Sequence, residues 1–250
     1  MRQGLAAETA TAGGDPAASQ RAPVAGAIRR AWPWLAIGLA AYLVALIVTV
    51  PARFILSGDP RWAVAGTLWN GEAVVDGAYR LEWHWAPWRS LASLAFAADV
   101  RMTGAGTDLA GAATVSPGGT LLEGFAGSGG GGLLSAFGPR LPFACDAALT
   151  ITLRQLRIAG TRSEATGEIA SDAGSCTAIG GGQPNPVPAL ITRLLPLPDG
   201  TTRIETTPAK GSRVRFFEGR IAAGRLHLAL TPAGAAALPF AQGLVIDEAM

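Results

Sequence analysis

Residues 31–50, AWPWLAIGLAAYLVALIVTV, constrain this chain more than any other stretch. They are twenty in number and carry no charge. As a helix rising about 1.5 Å per residue they would be about 30 Å long, the thickness of a bilayer's hydrocarbon core. Arg29 and Arg30 precede the run, and Pro51 and Arg53 follow it. Trp32 and Trp34 stand where an interfacial aromatic belt falls. A helix in a soluble core normally keeps a polar face, and this run has none. A cleaved signal peptide has an apolar centre of about 7–15 residues close to its start. Here the run is longer and thirty residues precede it. The stretch reads as an uncleaved transmembrane signal anchor.

That reading sets the domain plan: a disordered cytoplasmic tail over 1–30, the anchor over 31–50, and a periplasmic domain over 51–250. The tail is Ala, Gly, Thr, Ser, Pro and Gln with scattered charge and no apolar period. Arg21, Arg29 and Arg30 before the span outweigh Arg53 and Arg61 after it, which leans toward an N-terminus in the cytoplasm. With four arginines and two carboxylates in residues 1–50, the remaining 200 carry sixteen basic and sixteen acidic side chains. A neutral domain has no basic field for nucleic acid. Cys145 and Cys176 are the two cysteines. In a translocated domain an even pair reads as one disulfide, the alternative being two separate buried thiols.

Beyond the anchor the period is two residues, punctuated by glycine. Strands are expected at 63–68, 72–77 and 79–85, with turns at Asn70-Gly71 and Asp76-Gly77. A helical turn over 88–91 precedes a strand in which Leu94, Phe96, Ala98, Val100 and Met102 share one face. Strands at 108–115 and 120–125 continue the meander. The run GSGGGG at 127–132 reads as a flexible connection before a helical turn at 133–137; no Lys-Ser/Thr follows it, so it is no phosphate loop. A strand over 147–158 changes phase near Arg154-Gln155, which predicts a β-bulge. A strand pair is expected over 160–173, then a loop over 180–188. Hairpins follow over 189–207, turning at 198–200, and over 213–230, turning at Glu218-Gly219. A short terminal helix is expected at 233–241. About a dozen strands without a βαβ unit make one antiparallel, twisted and concave sheet system. The fold class is all-β with one N-terminal transmembrane helix.

No nucleophile, base or metal cluster stands out. His84, between Trp83 and Trp85, and His227, between Leu226 and Leu228, alternate onto the solvent side. Asp76 and Glu82 read as solvated turn and strand carboxylates. The chain is read as non-enzymatic, with no cofactor and no metal site. The tryptophans are the less ordinary feature: Trp62, Trp69, Trp83, Trp85 and Trp88 fall just beyond the anchor. They read either as core filling at one end of the sheet or as a contact surface for lipid headgroups or a partner protein.

Three segments resemble one family. They are Pro51-Ala52-Arg53-Phe54 after the anchor, Gly66-Thr67-Leu68-Trp69-Asn70-Gly71, and Leu81-Glu82-Trp83-His84-Trp85-Ala86-Pro87. In this order, before a glycine-rich run of alternating strands, they resemble the type II secretion system protein N family. The motifs span residues 51–88; beyond them the likeness is one of pattern. The resemblance implies a periplasmic β-rich domain and an accessory role in exporting folded proteins across the outer membrane. Its partners would be the inner membrane and other secretion subunits. It makes Gly66, Thr67, Leu68, Trp69, Gly71, Trp83, Trp85 and Pro87 candidate contact residues and supplies no catalytic ones. The tail is long for the family, and the cysteine pair is no part of the resemblance. A second reading makes the chain an envelope lipid-binding or lipid-transfer protein. Phe96, Val100, Leu149 and Ile151 would then line an apolar groove.

Overall fold

The computed structural model describes residues 24–56, 61–133, 142–211 and 214–249. It divides into two units, Met1–Val48 and Thr49–Met250. In the first, α1 (Val24–Val48) is one helix with Pro33 inside it. It begins seven residues before the expected anchor, so residues 24–30, read as tail, are its first turns; residues 1–23 of that tail lie outside the described residues. Every side chain from Trp32 to Val48 is exposed. Among the described residues no helix is long and apolar enough to cross a membrane. The part of α1 with described side chains, 32–48, reaches only about 25 Å.

The second unit opens with a helical turn, α2 (Arg53–Leu56), and then β1 (Trp62–Gly66), β2 (Asn70–Val75) and β3 (Tyr79–Trp85). Helix α3 (Pro87–Ser93) leads into β4 (Phe96–Gly104), β5 (Thr107–Ser116) and β6 (Gly119–Gly129). After β7 (Phe143–Cys145) come β8 (Leu149–Ala159), β9 (Arg162–Ser171), β10 (Gly174–Ala178) and β11 (Asn185–Val187). The chain continues with β12 (Leu190–Pro196), β13 (Thr202–Pro208), β14 (Phe217–Ala222) and β15 (Arg225–Leu230). Helix α4 (Pro232–Ala237), a 3-10 turn (Pro239–Ala241) and β16 (Val245–Ala249) complete it.

Thirteen strands form one antiparallel sheet, in the order β1-β2-β3-β4-β5-β6-β8-β9-β12-β13-β14-β15-β16. The order is linear, so β1 and β16 are edges and the sheet is open by hydrogen bonding. A second sheet, β11-β10-β7, is excised from this meander. Cys145 and Cys176 lie directly opposite each other in β7 and β10 and form a disulfide. The cysteine pair is thus one bridge, holding the small sheet together.

Register converts the two-residue period into two chemically different faces. Ala73, Leu81, Met102, Leu109, Gly127, Ile151 and Ile169 are consecutive partners from β2 to β9. The row continues through Thr192, Thr206, Phe217 and Leu230. The one polar pair in it satisfies itself, Thr192 Oγ1 lying 2.9 Å from Thr206 Oγ1. One residue along, Glu72, Glu82, Arg101, Ala110, Ala126, Thr152, Glu168, Arg193, Glu205 and Glu218 form the facing row. Ion pairs tie that face across strands: Arg101 to Asp108 through two bonds of 3.0 and 2.9 Å, and Arg193 to Glu168 at 3.1 Å. All are exposed, so each contributes about 0–1 kcal/mol and mainly favours the register.

The bulge expected at Arg154 is present: Leu153 pairs with Gly167 and Gln155 with Thr166, leaving Arg154 as the extra residue. A second bulge in β6, opposite Gly111, puts Gly124 beside it. The two insertions share a purpose. Leu122 and Phe125, like Leu153 and Leu156, are three residues apart yet partner each other on the apolar face. The bulges restore phase and bend both strands together.

Other expectations need correction. Asp76-Gly77 does turn, with φ of 50° and 68°. Asn70-Gly71 does not: it begins β2, and the chain reverses over 67–70, just beyond the paired Gly66 and Gly71. Glu218-Gly219 is mid-strand, and the hairpin reverses at Ala223-Gly224. Gly127–Gly129 are the end of β6, not a connection. Leu94 belongs to the end of α3 rather than to β4. The pair expected over 160–173 is the single strand β9, and β7, β10, β11 and β16 are not among the expected strands. Residues 134–137 of the expected helical turn lie outside the described residues.

Candidate functional site

The three motif segments, separated in the chain, meet at one end of the sheet. Val50 O accepts from Leu68 N–H at 3.0 Å, and Ala52 N–H donates to Gly66 O at 3.1 Å. Pro51 bridges to Thr67. Thr67 closes its own turn: its N–H donates to Asn70 O at 2.9 Å, and its Oγ1 accepts from Asn70 N–H at 3.2 Å. Leu68 O then accepts the indole N–H of Trp83 at 3.0 Å. Gly71 is glycine because the Trp83 ring lies over it; a β-carbon there would come 2.3 Å from Cζ2. Trp69 packs edge-on against Trp85, with centroids 4.8 Å apart, and leans on Phe96 at 6.0 Å. Ala52, fully buried, and Trp83, 7% exposed, share a cluster with Ala73 and Ala98. The motif residues therefore build a corner that receives the chain as it leaves α1.

Of the eight candidate contact residues, Gly66, Thr67, Leu68, Trp69, Gly71 and Trp83 are spent mainly on this corner. Trp85 is partly outside, its indole N–H donating to Ser90 Oγ at 2.8 Å. Pro87 is the first residue of α3, where its missing N–H costs nothing. The accessible apolar surface lies just beyond: Trp88 is 82% exposed, Leu91 65% and Leu94 90%. Leu91 and Leu94 escaped the sequence reading because alternation assigned Leu94 to β4. The three-residue spacing of Trp88, Leu91 and Leu94 was the available sign.

Leu94 sits at φ 49°, ψ 40°, ending α3 in a Schellman arrangement. Its N–H donates to Leu91 O at 3.4 Å, and Ala95 N–H donates to Ser90 O at 3.1 Å. Glycine usually holds this position, and a leucine there is strained by about 1–2 kcal/mol. Because its side chain is almost wholly exposed, Leu94→Gly should stabilise the domain by about 1 kcal/mol, seen as a higher denaturant midpoint at unchanged slope.

The sheet's apolar face is the second candidate. Leu133 and the segment before it cover one part, near Val75, Tyr79 and Leu109. The small sheet, α4 and the 3-10 turn cover another, through Val187, Phe216, Leu238 and Ala241. Phe143 meets Phe240 edge-on at 5.4 Å there. Between them Leu122, Phe125, Leu153, Leu156 and Ile158 are only half-buried. Of the groove residues expected from the sequence, Phe96, Val100 and Ile151 are half-buried and Leu149 is buried.

His84 and His227 are exposed on the polar face, His84 Nδ1 lying 3.2 Å from Asn70 Oδ1. A shallow hollow there is lined by His84, Asp99, Arg101 and Glu123. The shifted titrations have structural causes. Ser175 N–H and hydroxyl hold the Asp146 carboxyl below its usual range, Thr201 with Arg220 does so for Asp199, and burial pushes the Tyr79 phenol up. Among the described residues no three His, Cys, Asp or Glu side chains are placed to hold a metal ion. A scan of protein-family models and searches of curated proteins and of solved structures found no match to this chain.

Proposed function

We propose that this chain is a non-enzymatic accessory subunit of a type II secretion system, held in the inner membrane by the span at 31–50. Its N-terminus is cytoplasmic and its twisted, concave sheet lies in the periplasm. The observation that carries the reading is the convergence of the three motif segments. Residues that matter to the resemblance are those that close one corner, where the chain from the anchor enters the sheet. The Cys145–Cys176 bridge suits an oxidising compartment. In this reading the edges of β1 and β16, with the aromatic corner, offer backbone and ring contacts to neighbouring subunits.

A second reading, an envelope lipid-binding or lipid-transfer protein, is favoured by one observation: the half-buried apolar strip between Leu122 and Ile158. One preparation tests both. The tagged full chain, extracted in mild detergent from cells expressing the secretion system, should bring down other inner-membrane secretion subunits. Recovery without them, but with stoichiometric phospholipid by mass spectrometry, would replace the first reading with the second.

A further inference from the structure

We infer that the ridge Trp88–Leu91–Leu94 at α3 dips into the surface of a phospholipid bilayer. The inference rests on the anchor reading above, which places a bilayer at the end of residue 48.

Four observations carry it. The three side chains are among the most exposed large apolar groups of the second unit, and they follow one another at helical spacing. Leu94 is held outward by a left-handed backbone that leucine disfavours. Strain on an outward apolar residue makes no contribution to folding and points to an external contact. The ridge lies at the sheet end that receives the chain: α3 follows the end of β3, while Val50, two residues past α1, is bonded to Leu68 beyond the end of β1. In antiparallel register the ends of β1 and β3 are on the same side. Finally, residues 50–56 contain Arg53 and no carboxylate, while Arg89 beside the ridge is ion-paired with Asp99. Arg53 is exposed beside the Phe54 ring, 5.5 Å from its centroid, and Phe54 is itself exposed. Tryptophan and leucine with an exposed arginine at the same end of the sheet match the headgroup boundary of a bilayer. A bilayer needs no complementary pocket for three outward apolar side chains, as a partner protein would.

Both native cysteines are in the disulfide, so one added thiol can be labelled alone. Full-length Leu91→Cys, Leu94→Cys and His227→Cys, each with an environment-sensitive fluorophore, would be placed in vesicles of phosphatidylethanolamine and phosphatidylglycerol. His227 is exposed on the polar face and serves as the control. Nitroxide lipids should quench positions 91 and 94, more from shallow than from deep probes, and leave 227 unchanged. The expected depth is about 5–10 Å. Labels at 91 and 94 as open to aqueous iodide as 227, in protein that resists carbonate extraction, would overturn the ridge and leave the anchor standing. Labels shielded from iodide yet unreached by lipid nitroxide would overturn it in favour of a protein contact. Carbonate-extractable protein whose labels are still lipid-quenched would support the ridge and remove the anchor.

Discussion

Gly127→Ala and Gly131→Ala should each destabilise the large domain by about 3 kcal/mol. Both lie in the glycine run that composition marks as a slack connection. In the structure there is no slack. A β-carbon at Gly127 would stand 2.0 Å from the carbonyl oxygen of Asp108, on a backbone with φ of 145°. One at Gly131 would stand 2.0 Å from the carbonyl oxygen of Cys145. Both obstacles are backbone, so no rotamer change relieves them. Gly130 is similarly pressed, 2.3 Å from Ala105 O. Gly77 is the proper control: its φ is 68°, but nothing lies within 4 Å of the added carbon. Gly77→Ala should therefore cost only about 1 kcal/mol, the backbone term alone. Denaturant unfolding followed by tryptophan emission compares them. Equal midpoints for Gly127→Ala and Gly77→Ala would show that the run is loose after all.

Replacing Cys145 and Cys176 together by serine should remove about 3–4 kcal/mol. The bridge closes a separation of 31 residues, and its constraint on the unfolded chain makes up most of that figure in the chain-entropy account. Cys176 is also buried with Val187, Phe216, Leu238 and Ala241, so a serine hydroxyl would enter an apolar cluster. Asp146 next to the bridge offers a way to separate the contributions. Its carboxylate accepts from Ser175 N–H at 2.5 Å and from Ser175 Oγ at 3.0 Å. Those bonds hold its folded pKa below the unfolded one. Its contribution is complete above the unfolded pKa and is lost as pH falls through the folded one. The disulfide's contribution does not titrate. The deficit of the double variant should therefore be the same at pH 7 and in mild acid, as unfolding at both conditions would record. A deficit below 1 kcal/mol at pH 7 would mean the small sheet holds without its bridge.

The polarity of the longer strands of the large sheet is legible in the chain because alternation has a period that only one kind of element can use. Leu81, Trp83, Val100, Met102, Leu149 and Ile151 fall on one face in the structure, as their spacing requires. The Arg154 bulge was legible for the same reason, since a change of phase has to be absorbed somewhere. The opposing bulge at Gly124 left a similar mark in the spacing of Leu122 and Phe125.

What the residues alone settled is local: which side of the longer strands is apolar, that Asp76-Gly77 turns, and that two cysteines had one possible intramolecular pairing. Whether a glycine turns the chain or makes room for a neighbour depends on atoms distant in sequence. Gly71 lies under Trp83, Gly219 against His227 O, and Gly127 against Asp108 O. The same holds for Leu94, assigned to a strand by its spacing but held as a helix end by bonds to Ser90 and Leu91. Only the assembled sheet decided that it stays open, that the motif tryptophans turn inward on one another, and that Trp88, Leu91 and Leu94 are left facing out. Steric exclusion and strand order act between residues far apart in the chain, and no local pattern carries them.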